Sequence, residues 1–115
     1  MEQFHQVQDE LREPYRQLQE AIPDVTAAYS ALHDAAMKDG ALSAKIKELI
    51  ALAISITREC DGCVVAHARG AVRQGATRQE VVEMIGVAIS MNGGPGTVWG
   101  PRALAAYQEF GGETA

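Results

Sequence analysis

The sequence predicts an all-α protein of about six helices, and three observations carry that prediction. Apolar side chains recur at three- and four-residue intervals along most of the chain, which lays one stripe along a helix. Start and stop signals flank these runs: Pro23, Ser43 and the box Thr77-Arg-Gln-Glu80 at beginnings, Gly40 and Gly75 at ends. No stretch alternates apolar and polar residues as a half-buried strand does, and there is no internal repeat, low-complexity block or glycine-rich phosphate loop.

In the first helix, residues 2 to about 20, Phe4, Val7, Leu11, Tyr15 and Leu18 draw one stripe with charges opposite. Pro14 lacks a backbone donor and clashes with the preceding turn, so it predicts a bend or a division there. The second helix starts at Pro23, where a missing N–H costs nothing, and carries Val25, Ala28, Tyr29, Leu32, Ala36 and Met37 as far as Gly40. His33 lies one position off that stripe; with no other candidate ligand near it in sequence, it reads as a solvated or interface histidine. Ser43 caps a third helix over about 44–58, which is apolar on nearly every face from Leu49 to Ile56. A helix of that kind needs cover on all sides, and a 115-residue chain can scarcely enclose one, so a subunit interface is expected and with it a homo-oligomer.

The fourth helix is expected from about Asp61 to Gly75, with Val64, Ala68, Ala71 and Val72 facing inward. The fifth follows the capping box with Val81, Val82, Met84, Ile85, Ala88 and Ile89, and Asn92-Gly93-Gly94-Pro95-Gly96 then breaks the chain. A last helix, about 97–110, carries Val98, Trp99, Leu104, Ala105, Tyr107 and Phe110, with Gly100-Pro101 kinking or delaying it. Trp99, Tyr107 and the methionines read as core more than as pocket lining. The chain is one domain, 1–115: an N-terminal helical extension over 1–20, a core over 21–110 and a frayed tail over 111–115.

Charge and composition exclude several function classes. A net charge of −5 with ten scattered basic residues argues against nucleic acid, whose phosphates need clustered Lys and Arg. The N-terminal MEQFHQVQDE is polar and acidic, and the longest apolar run, LIALAISI over 49–56, is too short to span a bilayer, so a cytoplasmic protein with no membrane partner is expected.

The chemistry concentrates between Glu48 and His67, in ELIALAISITRECDGCVVAH. Cys60 and Cys63 form a C-x-x-C pair at the start of the fourth helix, where unpaired amides and the positive end of the helix dipole favour a thiolate. In a reducing compartment such a pair is more often redox-active or metal-binding than a structural staple. His67 is four residues after Cys63 and so shares its helix face, in reach to take a proton from it or hand one to a leaving group. If the third and fourth helices form an antiparallel hairpin turning near residues 57 and 58, Glu48 and His67 stand equally far from the turn and meet side by side. A carboxylate there fixes the tautomer of the histidine. Glu48, flanked by Lys45 and Lys47, reads equally well as an exposed carboxylate. A zinc site on Cys60, Cys63 and His67, completed by His5 or His33, is a second reading of the cluster, and a non-catalytic redox-sensing oligomer is a third.

The pattern E-x11-C-x-x-C-x-x-x-H, met by Glu48, Cys60, Cys63 and His67, resembles the AhpD-like and carboxymuconolactone decarboxylase superfamily, in its alkylhydroperoxidase branch with the C-x-x-C pair. The likeness continues through GAVRQGATRQEVVEMIGVAISMNGGPG and covers about residues 20–110. It implies an all-helical subunit assembled as a trimer or hexamer, with thiol-dependent peroxidase or disulfide reductase activity and no cofactor or metal. By position, Cys63 would be peroxidatic, Cys60 resolving, and His67 with Glu48 the proton relay. The implied partners are a hydroperoxide substrate and a dithiol reductant such as a lipoylated protein. In the better-described pattern a second histidine immediately precedes the second cysteine; here that position is Gly62. The decarboxylase branch generally lacks the cysteine pair, which argues against the lactone reaction.

Overall fold

In the computed structural model, which describes residues 2–115, the regular structure of those residues is six α-helices: α1 (Gln3–Ala21), α2 (Pro23–Ala36), α3 (Ala44–Arg58), α4 (Asp61–Arg73), α5 (Arg78–Asn92) and α6 (Gly94–Glu109). Local signals set most of these boundaries. Ser43 accepts the amide of Ile46 at 3.2 Å to start α3, and Thr77 and Glu80 close a reciprocal capping box at the head of α5. Gly75, at φ 78°, takes the left-handed conformation just past α4.

α1 stays one helix through Pro14; Pro14 and Glu10 both lie on the exposed side, where water can take up the freed carbonyl. Three expectations change. The second helix ends at Ala36, short of Gly40, because Asp39 turns back to accept the amide of Ala44 at 2.7 Å. The break after α5 shrinks to Gly93, at φ 68°, and Gly94-Pro95-Gly96 become the first turn of α6. A Cβ on Gly96 would lie 2.9 Å from the Ile89 Cα, and one on Gly100 2.8 Å from Ile85 Cγ2. These glycines therefore serve the close approach of α6 to α5 more than a turn, and Pro101 lies inside a continuous helix. Finally, the tail is held as far as Glu113: the Gly112 amide donates to the Tyr107 carbonyl at 2.8 Å, and the Glu113 carboxylate accepts the Arg78 amide at 2.7 Å.

The core is built by Leu52 and Ile56 of α3, Val64, Ala68 and Ala71 of α4, Val81 and Ile85 of α5, and Ala103, Ala106 and Tyr107 of α6. Tyr107 is core, as its composition and spacing suggest, and its hydroxyl donates to the Ala76 carbonyl at 2.7 Å. Outside this core, Ile46, Ile50 and Ile54 form an uncovered stripe along α3, and Val25, Tyr29 and Leu32 of α2 are each more than 60 % exposed. No helix among the described residues is long and apolar enough to cross a membrane.

The start of α1 has no cap of its own, and α6 supplies one. The Glu109 carboxylate accepts the amides of Phe4 at 3.2 Å and His5 at 2.7 Å, and its Oε2 lies 2.6 Å from His5 Nδ1. Burial pushes the Glu109 carboxyl up, but the amide and ring of His5 and the amide of Phe4 together outweigh it and hold it below its ordinary value. A carboxyl so depressed contributes stability that is fully present above the ordinary carboxylate range and is lost as pH falls through the lowered value. Glu109→Gln is expected to destabilise the protein at neutral pH and to flatten its loss of stability in acid. Urea unfolding from about pH 3 to pH 7 checks this, and parallel curves for the two proteins would refute it.

Candidate active site

The α3–α4 connection is made by Glu59, which adopts a left-handed conformation at φ 52°, followed by Cys60. The hairpin therefore turns at residues 59 and 60, two positions later than counting from Glu48 and His67 places it. Cys60 is the N-cap of α4, its sulfur accepting the amide of Cys63 at 3.3 Å. The two cysteines are joined as a disulfide with Cα atoms 5.2 Å apart, and both are half-buried. The chain thus places both sulfurs at the positive end of α4, where a reduced sulfur is stabilised as thiolate.

Glu48 is buried on the inner face of α3, and its Oε2 lies 2.9 Å from His67 Nδ1 on α4. Neither neighbouring lysine competes for it: Lys45 pairs with Glu80 at 2.8 Å, and Lys47 donates to the Lys38 carbonyl. With the carboxylate accepting from Nδ1, a neutral His67 has Nε2 free to accept a proton. The space for Glu48 is made by Gly70, one turn beyond His67; a Cβ there would fall 2.1 Å from Glu48 Oε2 and 2.3 Å from its Cδ. The one sequence signal of Gly70 is a glycine inside a helix, which costs about 1 kcal/mol against alanine and so marks a close approach when it persists.

His33 also joins the site, half-exposed as its reading as a solvated residue expects. Its ring stacks on His67, centroids 5.7 Å apart and planes at 29°. Nothing in the sequence signals this, since the two lie on different helices and α2 meets the site only through its tertiary placement. Gly62, between the cysteines, is covered from α1: a Cβ on it would lie 3.2 Å from Leu11 Cδ1. Beside Gly62 an apolar cleft of about 700 Å³ opens between α1 and α4, lined by Leu11, Tyr15, Leu18 and Val65. The zinc reading finds no ligand set. His5 is engaged at Glu109, and among the described residues no three His, Cys, Asp or Glu side chains are grouped to hold a metal ion.

The model of the carboxymuconolactone decarboxylase family matches residues 23–109. The chain belongs to that family. Relatives of this carboxymuconolactone decarboxylase family protein include an uncharacterized protein of Cupriavidus necator, 38 % identical over 98 residues that span 85 % of this chain and 87 % of the relative. Another is uncharacterized protein 4 in the cox locus of Paracoccus denitrificans, 38 % identical over 85 residues, 74 % of this chain and 77 % of that one. Among solved structures, an apo carboxymuconolactone decarboxylase family protein from Legionella pneumophila superposes with a TM-score of 0.93 at 35 % identity, over 96 % of this chain and 98 % of its own. The all-helical fold is therefore that of the family, and the C-x-x-C pair of this member is compatible with AhpD-like redox chemistry.

Proposed function

We propose that this family member is a thiol-dependent peroxidase that reduces alkyl hydroperoxides by a dithiol–disulfide cycle. The observation that carries the reading is the Glu48–His67 pair, at 2.9 Å, standing one helical turn past Cys63 of a closed Cys60–Cys63 disulfide. In the reduced protein His67 Nε2 takes the Cys63 proton, and the thiolate attacks the terminal peroxide oxygen. The O–O bond breaks, the alkoxide leaves with the proton held on His67, and Cys63 becomes a sulfenic acid. The Cys60 thiolate then attacks Cys63 Sγ, expelling hydroxide, which leaves as water once protonated, and the disulfide forms. A dithiol donor, for example a lipoylated protein, returns the two electrons. Glu48 holds the His67 ring and offsets the charge it gains. The apolar cleft beside Gly62 suits the alkyl part of the substrate.

The same reading makes the chain a homo-oligomer, a trimer or hexamer, with the uncovered Ile46-Ile50-Ile54 stripe of α3 as its subunit contact. The test is to mix the reduced protein with an organic hydroperoxide and count free thiols, then add a dithiol panel that includes a lipoyl donor. The expected result is loss of both thiols per chain with stoichiometric alcohol, turnover with at least one donor, and one light-scattering mass in both redox states. Two persisting thiols beside untouched peroxide would remove the peroxidase reading, and a mass that changes with oxidation would favour a redox sensor.

A further inference from the structure

The two N-terminal helices alter the redox centre in two ways at once. α1 lays Leu11 over Gly62, where an added Cβ would meet Leu11 Cδ1 at 3.2 Å and that half-exposed side chain would have to give way. α2 brings His33 onto His67, with 40 % of its side chain exposed against 18 % for His67. Around His67 stand the Glu48 carboxylate from α3, the His33 ring from α2 and Cys63 on its own helix; His33 itself has Asp34 Oδ1 at 4.0 Å from its Nδ1. His67 is thus flanked by a buried carboxylate and a half-exposed imidazole, and of the two rings His33 has the wider access to water.

We infer that His33 carries protons between solvent and His67. This rests on the peroxidase reading for its purpose and on the stacked pair for its geometry. The need arises in the resolving step. With Cys60 held as thiolate at the head of α4, the hydroxide expelled from Cys63 must receive a proton that neither cysteine supplies. That proton enters on His33 from solvent or buffer, passes to His67 through one bridging water, and leaves on the product water. When the dithiol donor reduces the disulfide, the proton that the Cys60 thiolate does not keep returns by the same path. The two rings meet as a stack, centroids 5.7 Å apart, and not edge to edge, so the transfer needs a water between them. His33 acts through His67 and touches no reacting atom, so it is a positioning residue and not a catalytic one.

The test compares wild type with His33→Phe, which keeps a stacked ring and loses the proton, and with His33→Ala. In dilute buffer both variants should turn over hydroperoxide roughly tenfold slower than wild type, the deficit shrinking as buffer concentration rises, and added imidazole should restore His33→Ala. Equal rates in dilute buffer, or a deficit that neither buffer nor imidazole relieves, would overturn the inference, the latter leaving only packing. If wild type shows no peroxidase turnover, the functional reading fails by itself and a second measurement decides this one. Exchange of the His67 ring proton with water, followed by NMR on histidine-labelled protein, should be slower in His33→Phe; unchanged exchange would overturn it.

Discussion

Cys63→Ser is expected to abolish hydroperoxide consumption, leaving less than about one thousandth of the wild-type rate, because a serine hydroxyl beside a histidine is a far poorer nucleophile toward peroxide oxygen than a thiolate. The fold should survive, since the two side chains differ by one atom and position 63 is only half-buried. Cys60→Ser separates the roles. Serine is a good N-cap, so it should keep the head of α4 intact in place of the Cys60 sulfur that now accepts the Cys63 amide. The variant should react once, stop, and show a single added oxygen on Cys63 by mass spectrometry. The reverse pattern, with Cys60→Ser dead and Cys63→Ser reacting once, would exchange the assignments of the two cysteines.

Gly70→Ala should produce the second-largest effect, although Gly70 itself takes no part in the chemistry. By propensity alone the change should stabilise α4 by about 1 kcal/mol. The new Cβ, however, would stand 2.1 Å from Oε2 of Glu48, 2.3 Å from its Cδ and 2.6 Å from Oε1, so the carboxylate must leave its place. Glu48 is buried, and displacing it separates it from His67. Turnover is expected to fall by about 10- to 100-fold, with a net loss of stability of about 1–3 kcal/mol despite the gain in propensity. Steady-state rates and thermal melts measure the two effects. Glu48→Gln, which keeps the shape and removes the charge, should match the loss of activity. A Gly70→Ala enzyme with wild-type turnover would show that the carboxylate has no part in the relay.

The parts legible from the sequence are those settled within a few residues of chain. Ser43, the Thr77–Glu80 box and Gly75 mark helix ends because caps and left-handed terminators satisfy local backbone groups. Cys63 and His67 share a face because helical periodicity puts them there. The meeting of Glu48 with His67 was also within reach, since one short hairpin joins them and residue counting brings them level even with the turn misplaced by two positions. The glycines of the second half mislead for the same local reason. Gly94 and Gly96 resemble a break until Gly94 is seen to open α6 and α5 to lie against Gly96.

By itself, then, the sequence determined an all-helical chain, the cysteine pair at a helix head and the residues able to serve it. The tertiary structure alone decided that Glu48 is buried where Gly70 leaves room, that Leu11 closes over Gly62, and that His33 comes to rest on His67. Each of these depends on how close two helices pack and at what rotation, and those follow from the summed fit of many side chains across the core, which no local pattern records.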